Sequence, residues 1–170
     1  MKGRSIAVSL LAIVCIFAIG AAAQVKNAFG FNSPNISGFP TGAVELTGGG
    51  SYDLAHDFVQ SGGGFRCTET VSQGPLTGCL AGQGIRWDTV DILAQIDFKC
   101  TPADTSQTAH TSANTVVLLA DFYRQGDGND ESFTALMIVS EADLPGHPGE
   151  KVWIQGVGCG SAVVNFSSVH

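Results

Sequence analysis

Two groups of side chains in this sequence have the types and spacing to do chemistry. The first is the set Cys67, Cys79, Cys100 and Cys159. Thiols outside the reducing cytosol oxidise in pairs, so an even number in an exported chain reads as a disulfide framework. The fifth cysteine, Cys15, lies in the N-terminal segment read below as a cleaved leader, and the four that remain allow three pairings. Cys67–Cys79 with Cys100–Cys159 is favoured: the first closes a short loop containing Gly and Pro, and the second joins the ends of two expected strands. A loop of the first length restrains the unfolded chain by about 3 kcal/mol. A metal reading of the cysteines is weak, because the sequence has neither a C-x-x-C pair nor Cys/His spacing of the zinc type.

The second group is Asp127, Asn129, Asp130 and Glu131, a run of oxygen-bearing side chains. Calcium takes roughly six to eight oxygen ligands, so this run is a speculative calcium site, and calcium is the one cofactor the sequence suggests. The EF-hand pattern is not met. With Asp127 first, Ser132 stands where the sharp-turn glycine belongs and Ile138 where the closing glutamate belongs. The competing reading is a hairpin turn, since Asp-Gly and Gly-Asn suit backbone with positive φ.

The remaining candidates are weaker. His56, His110, His147 and His170 fall in expected loops or at the C-terminus, far apart in sequence. Gly158-Cys159-Gly160-Ser161-Ala162 matches a nucleophile elbow only superficially, because the serine is displaced and no helix is expected after it. Asp88, Asp91 and Asp97 offer carboxylates for glycoside hydrolysis, yet Asp91 and Asp97 lie on the polar face of an expected strand. Tyr52, Trp87, Tyr123 and Trp153 suit either a sugar-stacking surface or a core, and the core is the ordinary use. No residue is assigned a catalytic role. The sequons at Asn35 and Asn165 matter only in a host that glycosylates.

These side chains need a scaffold, and the chain carries an address before it. Lys2 and Arg4 precede an apolar run from Ile6 to Ile19, which closes on Gly20-Ala21-Ala22-Ala23. A basic start, an apolar stretch and a small-residue exit describe a signal peptide over residues 1–23. The run is short for a permanent span, which needs about 20 apolar residues. The protein is therefore expected to be secreted or periplasmic, with no membrane span after cleavage. Without residues 1–23 the chain has six basic and fifteen acidic side chains, a net charge of −9. Scattered basic residues in an acidic chain exclude the electrostatic footprint of a nucleic-acid partner.

Residues 24–40 read as an extended N-terminal arm carrying Phe29, Phe31 and Phe39, and residues 41–170 as a single domain. In the domain, Gly48-Gly49-Gly50 and Gly62-Gly63-Gly64 suggest a hairpin turning at Leu54-Ala55-His56, with the triplets facing each other and an aromatic ring, Trp87 or Trp153, over the bare patch. Val90 to Phe98 alternates apolar and polar as a half-buried strand does. Residues 101–114 read as a long exposed loop. Thr115–Tyr123 and Phe133–Ser140 are continuously apolar and form the clearest hairpin, followed by a loop over 141–150 and short strands at 152–157 and 162–166.

Short strands divided by Gly/Pro-rich turns predict an all-β fold: an antiparallel β-sandwich, with a β-barrel as the alternative, stabilised by disulfides. The function this supports is a non-enzymatic binding or structural module, with a carbohydrate or protein ligand meeting exposed loops. Two alternatives stand beside it: a small secreted hydrolase of polysaccharide using carboxylates, and a calcium-dependent adhesion-type domain. The sequence does not define the oligomeric state.

Overall fold

The computed structural model describes residues 26–124 and 131–169. The chain forms β1 (Lys26–Gly38), β2 (Ala43–Asp53), β3 (Phe58–Glu69), β4 (Arg86–Leu93), β5 (Gln95–Phe98) and β6 (Gln107–His110). It continues as β7 (Thr115–Tyr123), β8 (Ser132–Ser140), β9 (Val152–Ile154), β10 (Gly158–Gly160) and β11 (Val163–Val169). Nine strands make one antiparallel sheet in the order β10-β9-β8-β7-β4-β3-β2-β1-β11. The sheet curls until β10 also meets β1, through the pairs Ser37↔Cys159 and Gly38↔Gly158. The expected all-β, antiparallel, disulfide-bonded class is thus what the structure has, built as one large curled sheet whose end strand β10 touches β1 over two residue pairs.

The alternation of side chains along each strand puts every second residue inside the curl. Val116, Leu118, Ala120 and Phe122 of β7 face Phe133, Ala135, Met137 and Val139 of β8 and the inner residues of β1 to β4 in one core. Burying each large apolar side chain contributes about 1.5–3 kcal/mol. The outer sides of β7 and β8 also carry apolar residues, Val117, Leu136 and Ile138 among them, and the topology gives the reason. β5 and β6 pair as a separate two-stranded ribbon. A second apolar cluster gathers Phe98 and Ala109 of that ribbon with Val117, Ile138, Leu144 and Trp153. Continuous apolar runs belong to strands covered on both faces.

The glycine triplets face each other as expected, with Gly48 opposite Gly63 and Gly49 opposite Gly62. The turn between them is a 3-10 turn, Leu54–His56, capped by Asp53, whose side chain accepts from the Ala55 amide. Phe31 pairs with Gly48 on one side and Trp87 with Gly63 on the other. The two missing side chains leave space in which the Phe31 and Trp87 rings meet at 6.1 Å. Trp87 is 0% exposed, and its Nε1 donates to the Thr47 carbonyl at 3.0 Å. The ring over the glycines is Trp87; Trp153 sits in the outer cluster.

Several elements differ from the sequence reading. Residues 26–38 of the expected arm form β1, paired with β2 on one side and with β11 and β10 on the other. The buried Phe29 and Phe31 join the main core, which is why the segment is held in the sheet. The strand expected over 90–98 is two strands. A bulge between Thr89 and Asp91 turns Val90 outward, where it is 53% exposed, and the chain breaks at Ala94 so that β5 leaves the main sheet. The 101–114 loop contains β6, whose one buried side chain, Ala109, is too small to announce a strand by its pattern.

Tyr52 lies in this core and donates its hydroxyl to the Ser112 carbonyl. Burial pushes its phenol from 10.0 up to about 12. A raised folded-state value means that the unfolded chain loses its proton first as pH rises. Stability linked to Tyr52 is therefore intact below pH 10 and falls through the window from 10 to 12, at about 1.4 kcal/mol per pH unit. Melting temperatures should drop across that window, and phenolate absorbance should show one tyrosine ionising only near pH 12 or on unfolding. A Tyr52 that titrates at its ordinary value in folded protein would contradict its burial.

Candidate functional site

The outer face of β1, β2 and β3 carries a groove of about 540 Å³. Strand parity sends Asn32 and Pro34 of β1, Glu45 and Thr47 of β2, and Gly64 and Arg66 of β3 to this side, away from the core residues Leu46 and Phe65. Asn32, Thr47 and Gly64 lie side by side across the three strands, so the floor dips where Gly64 has no side chain. Pro34 lacks an N–H and falls at the irregularity between Ser33 and Ile36, the kind of place a strand tolerates proline.

One wall is the segment that follows the Cys67–Cys79 disulfide. The Cys67 amide donates to the Gln83 carbonyl at 2.7 Å, and the Gly82 amide to the Cys67 carbonyl at 2.7 Å. Gly84, at φ +112°, lets this segment press against β3: a Cβ there would stand 2.8 Å from the Arg66 Cα. The wall ends in Ile85, which is 51% exposed despite its size. On the far side of Asn32 and Pro34 a second depression, about 390 Å³, is bounded by Ser161, Ala162 and Val163. Val163 is 72% exposed. The face therefore offers apolar surface at both ends and polar groups between them.

At its centre Glu45 and Arg66 are directly opposed on neighbouring strands, with Arg66 Nη1 3.9 Å from Glu45 Oε1 and both side chains about half exposed. An exposed pair of this kind is worth about 0–1 kcal/mol, so a ligand can separate it with little loss. Beyond the groove the Arg86 guanidinium lies 4.3 Å over the Tyr123 ring. Its hydrogen bond to Asp88 favours the charged form and raises its pKa.

Cys67 is bonded to Cys79 and Cys100 to Cys159, the favoured pairing. Asp127, Asn129 and Asp130 lie outside the described residues. Glu131 is ion-paired with Arg124, whose guanidinium also lies 4.6 Å over the Phe133 ring. Asp91 accepts from the Ile92 amide and Asp97 from the Thr108 hydroxyl, and they sit on different strands. Asp88 is opposite Asp121 on the outer face of the sheet. His56 is hydrogen-bonded to Asp53, His110 is exposed on β6, and His147 packs against Phe98. Tyr52, Trp87 and Trp153 are buried. Gly158–Gly160 is β10, and β11 follows it, with no α-helix among the described residues.

Sequence reasoning missed the groove because Asn32, Glu45, Thr47 and Arg66 are individually ordinary polar residues on strands. The available signals were Pro34 and Gly64, two residues unfavourable in strand interiors. The fold and face define an antiparallel curled-sheet domain with two disulfides. Comparison of the chain with protein-family models, curated proteins and solved structures finds no match.

Proposed function

We propose that this chain is an exported, non-enzymatic binding module whose ligand face is the groove over β1, β2 and β3, and that its ligand is a segment of another protein. One observation carries the reading: Ile85 and Val163, both strongly exposed, flank a row of polar groups on a floor of three paired strands. Apolar anchors beside hydrogen-bonding groups, held by rigid sheet and a disulfide-tied wall, suit an extended peptide. A carbohydrate is the weaker ligand, because the tryptophans and Tyr52 that would stack on sugar rings are in the interior. The acidic balance of the chain favours a partner carrying basic groups. Two disulfides suit the oxidising compartment to which the leader-like first 23 residues would direct the chain.

Selection of a displayed random-peptide library on the immobilised protein tests this. Peptides that bind the wild type should lose at least about tenfold in affinity to Arg66→Glu and to Ile85→Asp, equivalent to about 1.4 kcal/mol. Both side chains are about half exposed, so melting temperatures should change little. Selected peptides that bind both variants as well as they bind the wild type would refute the assignment of this face. Turnover of a polysaccharide panel by purified protein would refute the non-enzymatic reading.

A further inference from the structure

Away from the groove, Cys100 Sγ, a carboxylate oxygen of Asp104 and a ring nitrogen of His147 all lie within 4.8 Å of one another. Cys159 Sγ is bonded to Cys100. These residues come from the end of β5, the turn after it, the 141–150 loop and β10. We propose that, when the Cys100–Cys159 disulfide is reduced, Cys100, Cys159, Asp104 and His147 become a tetrahedral site for zinc or a similar divalent cation. This corner of the fold would then be closed by a disulfide when oxidised and by a metal ion when reduced.

The donor set is the first argument. Two thiolates, an imidazole and a carboxylate are four good zinc ligands, and a site with four protein ligands is closed and structural in type. Spacing is the second. Zinc bonds of about 2.0–2.3 Å put neighbouring ligand atoms about 3.3–3.8 Å apart in a tetrahedron. His147 Nε2 stands 3.9 Å from Asp104 Oδ2, already close to that edge. The Cys100 and Cys159 Cα atoms are 4.9 Å apart; Cys159 Sγ stands outside the 4.8 Å group, so once the S–S bond is cut its side chain must rotate toward Asp104 and His147 to complete the tetrahedron.

Preorganisation without the S–S bond is the third argument. Trp153 Nε1 of β9 donates to the Lys99 carbonyl at 2.7 Å, which holds the chain at Cys100 beside β9 and β10. The Thr101 amide donates to Asp104 Oδ2 at 2.7 Å. That bond fixes the orientation of the carboxylate beside Cys100. His147 rests against the Phe98 ring at 6.0 Å, and its amide donates to the Leu144 carbonyl at 2.9 Å. The two cysteines are buried, while the Asp104 and His147 side chains keep an opening to solvent.

A dithiol or phosphine reductant supplies two electrons to the disulfide and is itself oxidised, and the sulfurs take up two protons. Metal binding then releases those two thiol protons to solvent, and neutral His147 contributes a lone pair. With a divalent ion, two thiolates and one carboxylate, the site carries a net charge of −1.

Cobalt(II) is the probe. Wild-type protein should be reduced with a phosphine, freed of reductant without air, and titrated with cobalt. One equivalent should bring up a thiolate-to-cobalt charge-transfer band with tetrahedral d–d bands, and zinc should displace it; oxidised protein should show neither. His147→Ala and Asp104→Asn should each weaken cobalt at least tenfold, while Cys67→Ala/Cys79→Ala should keep the bands. Near-ultraviolet circular dichroism, recorded throughout, should show folded protein at one equivalent. The proposal is overturned if reduced protein gives no thiolate band or remains unfolded with cobalt. It is equally overturned if the His147/Asp104 double variant binds as wild type, or if the bands vanish with Cys67 and Cys79.

Discussion

Gly48→Val is expected to abolish cooperative folding. A Cβ at Gly48 would stand 2.5 Å from the Gly62 carbonyl oxygen and 2.7 Å from Trp87 Cζ2. Neither neighbour can give way cheaply. The carbonyl belongs to β3, which is locked to β2 by eleven register pairs, and Trp87 fills the interior. Moving the indole breaks its bond to the Thr47 carbonyl and forfeits packing of the size lost when a buried Trp is truncated, about 3–5 kcal/mol. Overpacking adds about 1–3 kcal/mol more. The sum approaches the whole stability of an ordinary domain, about 5–15 kcal/mol. The control is Gly30→Ala, on β1 opposite Gly49. The nearest atom to a Cβ there is the Gly48 carbonyl oxygen at 3.9 Å, so a Cβ fits, and relief of backbone entropy should stabilise by up to about 1 kcal/mol. Urea unfolding of the two variants checks the pair. A Gly48→Val protein that melts like wild type would mean that Trp87 does not lie over the glycines.

What was legible in the sequence follows from which physical signals are local. The β7–β8 hairpin announced itself because strands covered on both faces carry long apolar runs, as Val116–Ala120 and Ala135–Val139 do. The facing triplets were legible because glycine in a strand implies a close neighbour, and both Gly48 and Gly63 have one. The ribbon was not. β6 is held by its pairing with β5 and by packing over β7 to β9, contacts between residues distant in sequence that leave no periodic mark on Gln107–His110. The bulge at Thr89–Asp91 reversed the parity of Val90 for a similar reason: one extra residue flips a side chain without altering composition. The groove depends on register, which aligned Glu45 with Arg66 and Asn32 with Thr47, and register is set by the whole sheet.

The double substitution Cys100→Ser/Cys159→Ser should destabilise the protein by about 4 kcal/mol, from the entropy of closing a long loop in the unfolded chain. The loop spans 59 residues and contains β6, β7, β8 and β9. At about 2–4 °C per kcal/mol for a chain of this size, the melting temperature should fall by about 10 °C or more. Cys67→Ser/Cys79→Ser, closing only 12 residues, should cost less, about 3 kcal/mol. Its effect should be concentrated in the wall that carries Leu80 and Ile85, because that segment is tied to β3 mainly next to the cystine. Hydrogen exchange distinguishes the two mechanisms. Loss of the long loop raises exchange throughout β7 and β8, since only the global unfolding equilibrium has moved, whereas loss of the short one exposes residues 79–85 first. If Cys100→Ser/Cys159→Ser protein melted within a degree or two of wild type, the non-covalent contacts at this corner, led by the bond from Trp153 to Lys99, would have to restrain the unfolded chain as well as the bond does. A hydrogen bond worth about 1 kcal/mol cannot do that, so near-equality would point to residual structure in the unfolded state joining these two parts of the sequence.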